Sequence, residues 1–201
     1  GEIVRPSDKK HAKKIAWIQC AGRGLAEGKG TPYCSKICCM VSTKQTIITK
    51  EHDESVETSI FYNDLKAYGK GFWEFYRKAK ENGVCYVKGR PYEVFEDPET
   101  KNLTIRYEDL ENAELKKEEV ELLVLATGII PNDRNQKLAK ILKLKLDDRG
   151  YFKEKDPLLA PLETDIDGIY LCGGATGPID IAESVAQAAA ATMKAVSFHS
   201  S

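Results

Sequence analysis

Residues 121–126, Glu-Leu-Leu-Val-Leu-Ala, place the tightest limit on what this chain can fold into. The apolar run does not alternate with polar residues, and it ends directly on Thr127-Gly128. A strand that is apolar on both sides must be covered on both sides, which is the habit of a parallel sheet flanked by other layers. Lys14-Ile-Ala-Trp-Ile-Gln19 repeats the pattern near the start and ends at Cys20. Hydrophobic residues make up 42% of the chain, enough to bury a core between such layers.

Between these two strands the periodicity predicts a helix over 35–50, with Ile37, Met40, Val41, Ile47 and Ile48 as its apolar stripe. A strand over 58–62 follows, then a helix over 71–82 with Phe72, Phe75, Tyr76 and Ala79 on one face and Gly83 as its stop. Residues 84–87 read as a strand. Residues 91–95 and 103–107 alternate around the turn-rich 97–102 and read as a hairpin, followed by a charged stretch to Glu119. Beyond Gly128, a helix is expected over 137–142, irregular chain over 143–165 and a buried strand over 168–172. A helix over 180–198 is capped by Asp180 with Glu183 completing a capping box. The order predicts an α/β fold: a Rossmann-like nucleotide-binding domain of parallel sheet with a β-meander, plus a C-terminal strand–helix segment. The expected division is a linker over 1–14, the Rossmann-like domain with a cysteine-rich loop over 15–126, and a second domain's C-terminal part over 127–201.

Charge excludes two classes of partner. Thirty Lys and Arg against 31 Asp and Glu offer no basic surface for nucleic acid or an anionic membrane. No apolar run approaches the roughly 20 residues of a membrane span, and the polar start to Lys14 is not a secretory signal. Gly1 in place of Met suggests a piece of a longer chain.

The loop after the first strand carries the chemistry. A Rossmann unit grips pyrophosphate with Gly-x-Gly-x-x-Gly at this turn. Here Cys20-Ala-Gly-Arg-Gly-Leu-Ala supplies Gly22 and Gly24 but no third glycine, and the predicted helix starts too late. Instead the loop holds Cys20, Cys34, Cys38 and Cys39, four of the six cysteines. Cys34 and Cys38 share a helix face as i and i+4, with Cys39 on the flank. Four thiolates near a helix N-terminus, where the dipole favours anionic sulfur, suit a [4Fe–4S] cluster or zinc. Ordinary buried thiols remain the alternative.

Several segments together carry a resemblance. Ile18-Gln-Cys20, Pro32-Tyr-Cys34-Ser-Lys-Ile-Cys38-Cys39-Met40, Thr43-Lys-Gln45, Phe61-Tyr-Asn-Asp64, Gly69-Lys-Gly71-Phe72, Leu125-Ala-Thr-Gly128 and Cys172-Gly-Gly with Asp180-Ile-Ala-Glu-Ser-Val-Ala-Gln187 are similar to the heterodisulfide reductase A-subunit family, from Arg5 to Phe198. The resemblance implies a cytoplasmic, FAD-dependent iron–sulfur oxidoreductase subunit. It would relay electrons within a heterodisulfide reductase-type complex of methanogenesis and related metabolism, some members of which use flavin-based electron bifurcation. It implies that Cys20, Cys34, Cys38 and Cys39 hold a [4Fe–4S] cluster. The family's first FAD fingerprint and its ferredoxin-type motifs lie upstream and are not in this sequence. The expectation is therefore an internal-to-C-terminal fragment, inactive alone and with weak FAD binding.

Flavoproteins of the thioredoxin-reductase type end in a strand, a Gly-Asp turn and a helix whose N-terminus faces the flavin. By that likeness Thr127, Gly128, Gly173, Gly174, Ala175, Ile181, Ala182 and Glu183 are candidate flavin contacts, although Gly174 stands where Asp is usual. Cys172 is expected to be a buried strand thiol, Cys85 has no evident partner, and Trp17, Phe72, Trp73 and Phe75 are expected to pack. No residue is an evident acid–base catalyst, since the cofactors would carry the chemistry. Two rival readings are a structural zinc-binding or metal-free docking module and an NAD(P)H-binding domain with an atypical turn.

Overall fold

A computed structural model describes residues 3–24 and 30–199; residues 25–29 of the cysteine-rich loop lie outside them. The chain divides into two compact units, Gly1–Gly128 and Ile129–Ser201.

The first unit is built on one six-stranded sheet, ordered β5-β4-β3-β2-β1-β6. β1 (Lys14–Ile18) lies at the parallel end between β2 (Glu57–Tyr62) and β6 (Leu122–Leu125), and β2 pairs in parallel with β3 (Cys85–Glu96). β3, β4 (Leu103–Asp109) and β5 (Glu114–Val120) form the antiparallel meander. Helices α1 (Cys38–His52) and α2 (Phe72–Glu81) make the crossovers from β1 to β2 and from β2 to β3.

The period of two along β1 explains why it is buried on both faces. Ile15 and Trp17 join Ile47 of α1, Ile60 and Ala79 of α2 in one core. Ala16 and Ile18 join Phe61 and the meander residues Ile105, Tyr107 and Val120 in the other. Helices thus cover one face and the meander the opposite one. Trp17 Nε1–H donates to Gln45 Oε1 at 2.9 Å and ties α1 to the central strand.

Several predicted elements change in detail. The separate strands over 84–87 and 91–95 are one long β3, with the register shifting between Pro91 and Glu93. The charged stretch conceals β5, because Lys116 and Glu118 point inward beside Val120 and bond to Asp109 and to Lys14 respectively. Inward charge on an edge strand is a known guard against edge-to-edge pairing. On α1 the buried face is Cys39, Met40, Thr43, Thr46 and Ile47, whereas Val41 and Ile48 are exposed. The buried threonines are tolerated because Thr43, Thr46 and Thr49 hydroxyls donate to helix carbonyls of Cys39, Thr43 and Gln45. The segment read as a linker over 1–14 is fastened down where described: Ala12 is buried, and the Arg5 guanidinium donates to Asn102 Oδ1 and Thr100 O in the β3–β4 turn.

The second unit holds α3 (Asn135–Leu142), a single turn of 3-10 helix at Gly173–Ala175 and α4 (Ile181–His199). Ala139, Phe152 and Leu171 form its small core. Residues 168–172 do not form the predicted strand: Gly168 is in a turn at φ 81°, and the segment pairs through the single bridge of Tyr170 with Glu163, no strand being formed beyond β6 among the described residues. The capping box of α4 is present in both directions, with Glu183 N–H donating to Asp180 Oδ1 at 2.7 Å and Asp180 N–H to Glu183 Oε2 at 3.4 Å.

Candidate functional site

The carboxyl ends of β1, β2 and β6 open into a cleft of about 880 Å³, the position at which open α/β sheets bind ligands. Every residue lining it belongs to the first unit, and Cys20, Cys34, Cys38 and Cys39 are among them.

Local backbone geometry brings the four thiols there. Cys20 leaves β1 in the left-handed region at φ 59°, turning the chain out of the sheet. Its carbonyl accepts Arg23 N–H at 3.0 Å, closing a tight turn. Lys36, at φ 64°, reverses the chain between Cys34 and α1, so that Cys38 and Cys39 open the helix. Two glycines let the segments press together. A Cβ on Gly22 would stand 2.0 Å from Thr127 O, and one on Gly128 (φ +85°) would stand 2.5 Å from Ser35 Oγ.

The partial Gly-x-Gly turn is not a phosphate cradle. Three of its described amides are already taken: Ala21 N–H donates to Ala126 O, Arg23 N–H to Cys20 O and Gly24 N–H to Thr31 O. Gly22 is required for contact with the exit of β6, not with a ligand. This arrangement counts against dinucleotide binding at the turn.

Another amide faces sulfur. Lys36 N–H donates to Cys34 Sγ at 3.4 Å, and the backbone at Gly128 and Lys66 works to lower the Cys38 and Cys39 thiols. These contacts favour thiolate, but burial opposes it. Burial is the main reason that the Cys39 thiol is pushed up to about 11, and the neighbouring cysteines add to the rise. Cys38 is raised for the same reasons, burial first and then the charges of Cys20 and Cys34. Desolvation and the neighbouring thiols thus work against the anionic sulfur that a helix N-terminus favours. The charged side chains of the lining are mostly cationic, with Arg23, Lys36, Lys66 and Arg90 against Asp64, whose carboxylate pairs with Lys66. Among the described residues no three His, Cys, Asp or Glu side chains already stand close enough to hold a metal ion. The sulfurs share one lining without being drawn onto one point.

The predicted flavin contacts fall in both units. Thr127 and Gly128 line the cleft of the first. In the second, Gly173, Gly174 and Ala175 form the 3-10 turn, and a Cβ on Gly174 would meet nothing within 4 Å. Gly173 N–H donates to Gln187 Oε1 at 2.8 Å. The amides of Ile181 and Ala182 are outside the capping box, whereas that of Glu183 is taken by Asp180. Cys172 is exposed, not buried as expected, because the strand predicted to hold it does not form; Cys85 is also exposed. Trp17 packs as predicted, but Trp73 is largely exposed. The sequence reading missed Gln19, Lys66 and Arg90 as lining residues, since nothing in their spacing connects them.

Residues 63–195 match the pyridine nucleotide-disulphide oxidoreductase family. The chain is 48% identical over 189 residues to the iron-sulfur A-subunit of the CoB--CoM heterodisulfide reductase of Methanocaldococcus jannaschii, covering 94% of this chain and 29% of that protein. It is 44% identical over 189 residues to the A-subunit of the H(2)/formate:CoB-CoM heterodisulfide,ferredoxin reductase of Methanococcus maripaludis, with the same two coverages. The chain thus spans less than a third of the length of these relatives. In fold it is similar to T. acidophilum thioredoxin reductase, with a TM-score of 0.57 and 20% identity over 94% of this chain and 53% of that one.

Proposed function

The chain belongs to the pyridine nucleotide-disulphide oxidoreductase family and is similar along nearly its whole length to heterodisulfide reductase A-subunits, and from that premise we propose that it is the cluster-holding segment of an FAD- and [4Fe–4S]-dependent electron-transfer protein. Cys20, Cys34, Cys38 and Cys39 hold the cluster. The observation that carries this reading is the cleft itself: four thiols line the place where a phosphate would sit, and three amides of the turn that would grip the phosphate already donate to protein carbonyls.

The chemistry of the site fits such a group. Four thiolates on an iron–sulfur core give an anionic assembly, and a lining of Arg23, Lys36, Lys66 and Arg90 offsets that charge. The amide of Lys36 already donates to one of the sulfurs. The burial and crowding that hold Cys38 and Cys39 protonated are the conditions that a bound metal reverses, because a coordinating thiol loses its proton. A bound cluster supplies one-electron storage. The protein's part is to bind it, limit water and set its charge environment.

Thr127, Gly128, Gly173, Gly174, Ala175, Ile181, Ala182 and Glu183 are proposed as the FAD-facing residues of the intact protein. The open space over Gly174 and the amides of Ile181 and Ala182, which lie outside the capping box, support this role. In that protein, electrons pass between flavin and clusters, and the partners are the other members of a heterodisulfide reductase-type complex in the cytoplasm.

Anaerobic reconstitution of the chain with iron and sulfide tests the reading. A brown protein carrying iron and sulfide in the ratio of a [4Fe–4S] cluster is expected, with the colour lost in Cys38→Ser. Iron near zero, or a colourless chain holding one zinc, would replace the electron relay with a structural metal site.

A further inference from the structure

Gln19 is a buried side chain left without a partner at the place where sulfur is gathered. It follows Ile18 at the end of β1, precedes Cys20 and is 7% exposed. Its backbone N–H donates to Phe61 O at 3.0 Å. Its carboxamide has no such bond: Nε2 and Oε1 are both shut off from solvent, and neither has a hydrogen-bond partner among the described residues. Two other glutamines show the ordinary outcome, Gln45 Oε1 accepting from Trp17 and Gln187 Oε1 from Gly173. A buried polar group left unpaired costs about 1–3 kcal/mol, so a native fold keeps one where something else completes it.

Gln19 lines the four-cysteine cleft, so the missing partner belongs to whatever fills that cleft. Thiolate and sulfide accept hydrogen bonds and have none to donate, so they pair with Nε2–H and not with Oε1. The cleft already treats one sulfur this way, with Lys36 N–H donating to Cys34 Sγ at 3.4 Å.

We propose that Gln19 is a positioning residue for the cluster: its Nε2–H is the donor that the cleft lining directs at a sulfur of the group held by the four cysteines, and it raises that group's reduction potential. The inference rests on the cluster reading above. Reduction adds negative charge, a donor at sulfur stabilises the reduced form more than the oxidised one, and iron–sulfur potentials respond to such bonds.

The test compares the chain with its Gln19→Met variant, which keeps the length of the side chain and removes the donor. Both are reconstituted anaerobically with iron and sulfide, and the midpoint potential is read by titration followed by electron paramagnetic resonance. The variant is expected to bind the same iron at a more negative potential. Without metal it is expected to melt at the same or a higher temperature, since the orphaned amide has gone. A purely structural role would instead lower the metal-free melting temperature and leave the potential unchanged. Pulsed resonance on the reduced parent chain grown with side-chain 15N-glutamine is independent of the variant's folding, and a coupled nitrogen is expected. Full iron with equal potentials, or with no coupled nitrogen, overturns the role of Gln19 alone. A parent chain that takes up no iron or sulfide overturns the cluster reading and this inference together.

Discussion

Gly22 shows how far a residue's meaning depends on its neighbours. As part of Gly-x-Gly it resembles a remnant of phosphate binding, yet its missing side chain makes room for the carbonyl of Thr127. Its φ is not in the left-handed region, so replacement meets a steric obstacle and not a conformational one. Gly22→Ala should therefore destabilise the chain by the about 1–3 kcal/mol typical of forced overpacking, read as a lower urea midpoint with an unchanged slope. It should also loosen the wall that carries Cys20, lowering cluster occupancy after reconstitution. A wild-type midpoint would show that the backbone contact is slack. Gln19 makes the complementary point, because a glutamine beside a cysteine carries no mark in the sequence of being unpartnered.

At the scale of elements, the cysteine end of α1 is anchored to the sheet through Thr43, whose hydroxyl bonds to Cys39 O at 2.9 Å and to Tyr86 Oη at 2.8 Å. Tyr86 packs edge-on against Tyr62 and Tyr76, and burial pushes its phenol up to about 12 from the ordinary 10.0. The phenol is neutral in the fold at pH values where it would already ionise in the unfolded chain. Its contribution is thus fully present below pH 10 and is lost as pH rises towards 12. Tyr86→Phe should cost about 1 kcal/mol at neutral pH for the lost hydrogen bond. It should also flatten the alkaline fall in stability, measured by urea unfolding across that range. An alkaline limb identical to wild type would assign the fall to other groups. The helix was legible in outline. Its polar buried face was not, because threonines satisfied by their own helix carbonyls look in sequence like a solvent-facing stripe. β5 escaped for the opposite reason: its inward positions carry charges that pair only once the meander has formed.

For the whole molecule, the cleft lies within the first of two compact units, while the proposed flavin contacts are shared by both. A chain ending at Gly128 should therefore fold and take up iron and sulfide as the longer chain does, with the same absorbance per iron. Loss of cluster binding on that truncation, with the sheet intact by circular dichroism, would show that residues after Gly128 complete the site.

The order of apolar runs and breaks was enough to determine a parallel sheet with a meander, the capped final helix and the absence of a full phosphate fingerprint, because these follow from period, burial and turn chemistry along a single stretch of chain. Spacing alone also set the four cysteines apart from the other two. The tertiary structure alone decided that the four thiols share one cleft, that the glycines beside them serve close backbone packing, and that a neighbouring carboxamide is left unanswered. Each of these depends on atoms brought together from strands and loops far apart in sequence, where one-dimensional patterns carry no distance.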